Sequence, residues 1–171
     1  MHDACQDTDD ATKALAWIAQ HFPHVCLADR SCPQMDTTQT PINTHTRQQE
    51  TVVVLGAFGS NITQELANFN VLYAAPAACG DVVLASAENA VLALAGGRHA
   101  VRARRRYKCG LLPLGAPCAR AETRGLRWDV AGPLRYGGLV SSSNEMCACE
   151  VRVAVSSTVL WSFDLARPLG P

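Results

Sequence analysis

The sequence predicts an all-β protein, an antiparallel jelly roll or β-sandwich that follows a short N-terminal helix and a flexible linker. Two observations lead to this prediction. From residue 51 onward, short runs of β-branched and apolar residues alternate with turn residues, as in antiparallel sheets. The first fifty residues lack this pattern. We therefore divide the chain into an N-terminal arm, residues 1–49, and a β-sandwich domain, residues 50–171.

The arm is predicted to contain one amphipathic helix. Its apolar residues Leu15, Ile18 and Phe22 share one face of a helix over residues 10–22, and Pro23 ends that helix. The rest of the arm is rich in Pro, Thr, Gln, Asp and Asn without periodicity. Such a composition is typical of a linker or stalk.

The domain is predicted to consist of short strands joined by tight turns. The candidate strands are 51–55, 82–85, 90–95, 98–106, 151–155 and 159–165. We interpret Gly96-Gly97 as one hairpin turn and Ser156-Ser157 as another, because apolar and polar residues alternate on both sides of the second turn. No helical pattern is assigned between these strands, which favours antiparallel sheets over a parallel α/β sheet.

Composition and motifs argue against several classes of function. The 15 basic and 15 acidic residues cancel, whereas nucleic-acid-binding domains usually have a basic excess. The signature motifs of α/β-hydrolases, P-loop proteins, dinucleotide-binding folds and zinc proteases are absent from the sequence. We therefore predict a protein that is not an enzyme, has no catalytic residues, cofactor or metal, and binds neither nucleic acid nor a small-molecule substrate.

The eight cysteines favour an oxidising compartment. Cys109 and Cys118 bracket a short loop that contains Gly and Pro, and they are our candidate disulfide. Asn61 begins the sequon Asn-Ile-Thr and is a candidate glycosylation site. No stretch reaches the roughly 18 apolar residues of a membrane span. The predicted location is extracellular or membrane-associated, with any signal or anchor outside this chain.

Two clusters have alternative interpretations. Cys147 and Cys149 could form half of a zinc site, but one intervening residue is fewer than zinc knuckles use, so disulfides or buried thiols are favoured. The basic run over residues 102–108 fits either a heparin-type or nuclear-localisation patch, or a solvated strand end. The solvated strand end is favoured because few aromatic residues are interleaved for base stacking.

Several short segments occur in an order that suggests a family. They are Leu111-Leu112, Ala116-Pro117-Cys118, Trp128 and Tyr136-Gly137-Gly138-Leu139-Val140, together with residues 82–88, 91–94 and 159–165. In this order they resemble the tumour necrosis factor homology domain over about residues 51–166. The family's Tyr and Gln are replaced by Leu94 and Gly96, and its closing Gly by Ser162. The resemblance implies a trimeric jelly-roll ligand of cell-surface receptors.

The resemblance also implies roles for individual residues. Leu92, Leu94, Tyr136 and Leu160 would form the trimer interface, and Tyr107, Arg105 and Arg106 would bind the receptor. The leading hypothesis is therefore a secreted, cytokine-like homotrimer, a glycoprotein of the immune response that binds receptors of the tumour necrosis factor receptor type. The alternative is a monomeric, disulfide-stabilised β-sandwich that acts as a structural or immune-evasion protein, for example a viral surface component. A third hypothesis is an intracellular zinc-stabilised module built on Cys147 and Cys149.

Overall fold

The computed structural model describes residues 51–59, 61–74, 82–103 and 106–165. Within these ranges the elements are β1 (Val52–Leu55), α1 (Ile62–Ala74), β2 (Val82–Ala85), β3 (Asn89–Leu94), β4 (Gly97–Arg102), β5 (Lys108–Leu112), β6 (Cys118–Arg124), β7 (Ala131–Leu134), β8 (Ser141–Glu145), β9 (Glu150–Val155) and β10 (Val159–Asp164). The predicted arm and its helix over residues 10–22 lie outside these ranges. The domain boundary near residue 50 therefore stays a prediction.

The strands form two sheets, and one pair of strands is parallel. The order is β1-β2-β3-β10-β5-β8 in the six-stranded sheet and β4-β9-β6-β7 in the four-stranded sheet. β1 and β2 are parallel, and every other paired strand in the described ranges is antiparallel to its neighbour. Parallel neighbours need a crossover connection, and α1 lies in it. The predicted antiparallel jelly roll is therefore wrong, although most of the elements are strands.

Helix α1 begins at a side-chain cap that the sequence contains. The Thr63 amide donates a hydrogen bond to Asn61 Oδ1 over 2.8 Å, and the Gly59 amide donates to Glu65 Oε1 over 2.6 Å. An Asn N-cap followed three residues later by Gln64 is a recognised start of a helix. The prediction missed α1 because this segment was interpreted only as a sequon. Among the described residues, no helix is long and apolar enough to span a membrane.

Strand β10 lies at the centre of the fold and is covered on both sides. Val159, Leu160 and Trp161 are consecutive and fully buried. Leu160 packs in the cluster between the six-stranded sheet and α1, whereas Val159 and Trp161 pack in the core between the two sheets. A continuous apolar run is typical of a strand that is buried on both faces.

The two predicted hairpins are crossings between sheets. β9 pairs with β4 and β6, while β10 pairs with β3 and β5, so Ser156-Ser157 takes the chain from one sheet to the other. Gly96-Gly97 does the same between β3 and β4. The two crossings meet: a Cβ atom on Gly96 would lie 3.2 Å from the Ser156 carbonyl oxygen. A short turn between two strands of alternating pattern is compatible with a hairpin within one sheet and with a crossing between two sheets. Only the packing of β10 distinguishes these two connections.

Candidate ligand-binding site at the Trp128 turn

The turn between β6 and β7 presents a tryptophan to solvent. Trp128 is 55% exposed, although tryptophan side chains are highly buried on average. Two polar side chains, Thr123 and Asn144, both bond to this turn, and they are the buried polar residues of the described ranges. Buried polar groups are costly unless they are hydrogen-bonded, so their use at one turn indicates that its conformation matters.

Thr123 and Asp129 fix the inner side of the turn. The Thr123 hydroxyl donates to Asp129 Oδ1 over 3.0 Å and accepts a bond from the Val130 amide over 2.7 Å. The same Asp129 oxygen accepts a bond from the Leu126 amide over 3.0 Å. These bonds satisfy backbone amides that a turn would otherwise leave without partners.

Asn144 of β8 holds the backbone of Trp128 on both sides. Its Oδ1 accepts a bond from the Trp128 amide over 3.2 Å, and its Nδ2 donates to the Trp128 carbonyl oxygen over 2.6 Å. The same Nδ2 donates to the Ser141 hydroxyl over 3.1 Å. The edge strand β8 and the Trp128 turn are thereby joined into one unit.

Arg127 covers part of the indole. Its guanidinium carbon lies 4.8 Å from the centroid of the Trp128 ring, and its Nη1 lies 3.0 Å from Glu145 Oε2. The Arg127 amide also donates to the Glu145 carbonyl oxygen over 2.8 Å. A cation over an indole face is a favourable contact. The ring is therefore held through its backbone and through one neighbouring side chain.

The polar strand beside the turn supplies hydrogen-bonding groups. β8 begins with Ser141, Ser142 and Ser143, of which Ser142 and Ser143 are exposed. In the described sheet β8 pairs only with β5, so its other edge has no strand partner. A fixed aromatic ring beside hydroxyl groups and a sheet edge is suited to bind a planar organic molecule that has polar substituents. We name Trp128, Arg127, Asn144 and the three serines the Trp128 site.

The structure places the residues predicted for a trimer interface in different surroundings. Leu94 is buried in the core between the sheets, and Leu92 packs against that core. Leu160 is buried on the α1 side, whereas Tyr136 is exposed after β7. Leu92, Leu94 and Leu160 therefore contribute to the core of a single chain.

Of the residues predicted to bind a receptor, the two that the structure describes are half-buried. Tyr107 is half-buried, and its ring centroid lies 6.2 Å from that of Phe163 in an edge contact. Arg106 is half-buried as well. Arg105 lies outside the described residues. The environment of Tyr107 is typical of a residue that packs against the core.

The predicted disulfide residues lie on different sheets, and both are free thiols. Cys109 is buried on β5 and Cys118 on β6. Burial raises the pKa of Cys109 to about 12, with smaller contributions from Cys147 and Glu145. Burial also raises the pKa of Cys118, but hydrogen bonds from Ser156 and Ser157 outweigh it and hold the pKa below its ordinary value.

The other predicted positions are exposed. Asn61 is exposed at the start of α1. Cys147 and Cys149 are exposed free thiols. Over the described ranges, no group of three or more His, Cys, Asp or Glu side chains is arranged to hold a metal ion.

Sequence reasoning missed the Trp128 site. Trp128 was used only as one position of the family resemblance, and no role was predicted for Asn144. One signal was available: an asparagine within a serine-rich strand has to find hydrogen-bond partners if that strand is packed.

Comparison with known proteins gives a consistent result. Residues 98–160 match the family model described as thiamin pyrophosphokinase, vitamin B1 binding domain. The thiamine pyrophosphokinase 1 of Arabidopsis thaliana is 31% identical over 148 residues, which are 81% of this chain and 55% of that protein. The thiamine pyrophosphokinase 1 of Oryza sativa subsp. japonica is 34% identical over 119 residues, 67% of this chain and 44% of that protein.

A solved structure agrees in fold. The thiamine pyrophosphokinase from Bacillus subtilis has a TM-score of 0.69 at 13% sequence identity and covers 94% of this chain and 64% of that chain. At this identity the likeness concerns the fold alone. The chain spans about half the length of the curated relatives it matches.

These findings overturn the predicted identity. The resemblance to the tumour necrosis factor family is wrong, and so are the cytokine and immune-evasion functions, the homotrimer and the receptor partner, because the relatives are named as pyrophosphokinases. The prediction of a protein without enzymatic activity or small-molecule substrate is wrong for the same reason. The extracellular or membrane-associated location, predicted from the eight cysteines and the sequon, is wrong as well, and so is the secreted glycoprotein, because the relatives are named as thiamine pyrophosphokinases.

The false resemblance has a physical origin. Its segments were short apolar strands and Gly-Gly turns, which any two-sheet sandwich uses. Such segments indicate stacked sheets without specifying how the strands are connected. The range that matches the vitamin B1 binding domain contains the whole Trp128 site.

Proposed function

We propose that this chain is the thiamine-binding part of a thiamine pyrophosphokinase, with the Trp128 site as the place where thiamine binds. The observation that carries the proposal is a tryptophan that is 55% exposed and yet bonded through both its backbone amide and its carbonyl oxygen. This tryptophan lies within the residues that match the vitamin B1 binding domain. A ring fixed in this way is ready to stack before the ligand arrives.

The chemistry of thiamine suits this surface. Thiamine carries an aminopyrimidine ring and a cationic thiazolium ring, and both are planar. The exposed part of the Trp128 indole can stack on either ring and attract the cation. The positive charge of Arg127 is paired with Glu145, which reduces its repulsion of a cationic ligand. The exposed hydroxyls of Ser142 and Ser143 can exchange hydrogen bonds with the aminopyrimidine.

In the proposed reaction, the hydroxyl oxygen of thiamine attacks the β-phosphorus of ATP. The bond from that phosphorus to the α,β-bridging oxygen breaks, AMP leaves, and the hydroxyl loses its proton. That proton is released to solvent. Transfer of a diphosphoryl group to a hydroxyl depends mainly on positioning and on charge stabilisation. We assign Trp128 and the serines to binding and orienting the acceptor. Asn144 is a positioning residue, because it acts through the backbone of Trp128.

The test is a calorimetric titration of thiamine into the purified full chain and its variants. We expect Trp128→Ala to raise the Kd by about 5- to 30-fold, because stacking and cation–π contacts contribute about 1–2 kcal/mol. Trp128→Phe should recover part of the affinity, since it keeps an aromatic face. Leu55→Ala, a change at another exposed apolar residue, should leave the Kd unchanged.

Two results would contradict the proposal: no saturable binding of thiamine by the unmodified chain, or equal binding by Trp128→Ala. Circular dichroism of each variant verifies that the fold is intact.

A further inference from the structure

The outer face of the four-stranded sheet concentrates positive charge. The inward residues Val151, Val153 and Val155 are buried, so alternate positions on β4, β6 and β9 point outward. The charged residues at these positions are Arg98, Arg102, Arg120, Arg124 and Arg152, with Glu122 and Glu150. Five arginines against two glutamates leave an excess of three positive charges, in a chain whose formal charge is zero.

At one end of this face, one carboxylate is shared by two arginines. Glu150 Oε2 lies 2.8 Å from Arg102 Nε, and Glu150 Oε1 lies 3.4 Å from Arg152 Nε. Hydrogen bonds from Arg102 and then Arg152 hold the pKa of Glu150 below its ordinary value. These two arginines therefore have a carboxylate partner within the sheet.

The other end of the face contains a cleft that is lined by two further arginines, Arg98 and Arg120. A cleft of about 450 Å³ opens there, which is within the size range of small-molecule sites. Gly97 and Ala154 contribute to its lining, and their small size leaves room for a ligand. Arg98 and Arg120 also line it, and within the described residues no ion pair joins either of them to a carboxylate.

The sheet register places Arg98 and Glu122 on opposite sides of the cleft, and Arg120 lies two residues before Glu122 on β6. Ala154 of β9 is paired with Arg98 of β4 on one side and with Glu122 of β6 on the other. Strands are spaced by about 4.8 Å, so β4 and β6 are about 10 Å apart across β9. Two long side chains from these strands can reach one ligand between them. Glu122 places a carboxylate beside Arg120 on the β6 side.

We propose that this cleft binds a diphosphate group, either as the free anion or within a phosphate ester. Guanidinium groups bind phosphate oxygens through paired, charge-assisted hydrogen bonds. Arg98 and Arg120 can each bind one phosphate of the same diphosphate, which a single phosphate does not allow. The cleft lies toward the start of β6, whereas the Trp128 turn follows its end. The inference therefore does not depend on the thiamine proposal.

The experiment titrates inorganic pyrophosphate into the full chain at low ionic strength, with binding measured by calorimetry and by ³¹P NMR. The double variant Arg98→Gln/Arg120→Gln should raise the Kd at least about tenfold, because it removes both guanidinium groups. Glu122→Gln should lower the Kd by a few-fold, because it removes a negative charge from the cleft. Arg124→Gln, on the same face but outside the cleft lining, is the matched control and should change the Kd by less than about twofold.

A second titration uses ADP and distinguishes the two sources of the diphosphate. Tighter binding of ADP than of pyrophosphate indicates an ester, and weaker binding indicates the free anion. The inference is overturned if neither probe binds saturably, or if Arg124→Gln weakens binding as much as the double variant, since that shows diffuse attraction. The double variant should bind thiamine as the unmodified chain does, so the failure of one proposal is distinguishable from the failure of the other.

Discussion

The Trp128 turn and the β1–α1–β2 unit are held in opposite ways. The turn is fixed by hydrogen bonds between its backbone and two buried polar side chains, Thr123 and Asn144. The β1–α1–β2 unit is held mainly by apolar burial, with Val71, Leu72 and Leu84 at its centre. It also leaves aliphatic side chains exposed, namely Val53, Leu55, Ile62 and Leu66, whereas the turn exposes one indole.

The two kinds of interaction have different effects: one stabilises the fold, and the other positions individual groups. Apolar packing is non-directional and contributes in proportion to the buried area, so it stabilises the unit without fixing any single group to a fraction of an ångström. Hydrogen bonds contribute less net stability but depend steeply on geometry. The chain therefore uses directional bonds where one side chain has to be held in place for a ligand.

The largest expected effect tests the apolar unit. Leu84 is fully buried between the six-stranded sheet and α1. Leu84→Ala should lower the free energy of unfolding by about 2–5 kcal/mol, because it removes buried methyl groups and leaves a cavity. Urea denaturation measures the loss, and Leu55→Ala, at an exposed position of the same sheet, is the control. The folded variant should keep the thiamine Kd, and a Kd that rises with the loss of stability would remove the distinction between the two regions.

A smaller loss of stability with a larger loss of binding is expected at the turn. Asn144→Ala leaves the Trp128 amide and carbonyl oxygen without their side-chain partner, which should cost about 1–3 kcal/mol. The thiamine Kd should rise as well, because the indole is no longer held. Asn144→Asp keeps the acceptor for the amide but replaces the donor to the carbonyl with a buried carboxylate oxygen, so its Kd should rise at least as far as that of the Ala variant. Unchanged binding by both variants would show that the clamp has no role in binding.

The smallest effect is expected at the helix start. Asn61→Ala removes the cap from the Thr63 amide and should lower the free energy of unfolding by about 1 kcal/mol. Asn61→Asp keeps a capping oxygen and abolishes the sequon, so it separates the cap from any role in glycosylation. Urea denaturation followed by circular dichroism measures both. Equal destabilisation by Ala and Asp would contradict the assignment of Asn61 as the cap.

Much of the secondary structure could be predicted, but its connections could not. The strand at residues 82–85 and the run that contains β10 were placed correctly from their β-branched and apolar residues. The hairpin predicted between residues 151–155 and 159–165 was wrong, because a two-residue turn such as Ser156-Ser157 can join strands within one sheet or across two. Leu160 was the useful clue, since an apolar residue on the supposed polar face of β10 indicates a second buried side.

The candidate site shows the same limit. The Trp128 turn and Asn144 are 16 residues apart in sequence, and no spacing rule joins them. The arginines of the outer face of the four-stranded sheet come from three strands. The total charge of zero therefore gives no indication of the excess of positive charge on this face. Both features exist only once β6 lies between β7 and β9 and the two sheets are stacked.

The sequence by itself determined where strands and turns lie and which residues are apolar enough to be buried, because these properties depend on neighbouring residues. The tertiary structure decided which strands pair, that β1 and β2 are parallel, and which exposed side chains share a surface. These outcomes depend on contacts between residues far apart in the chain, whose energies no local pattern contains.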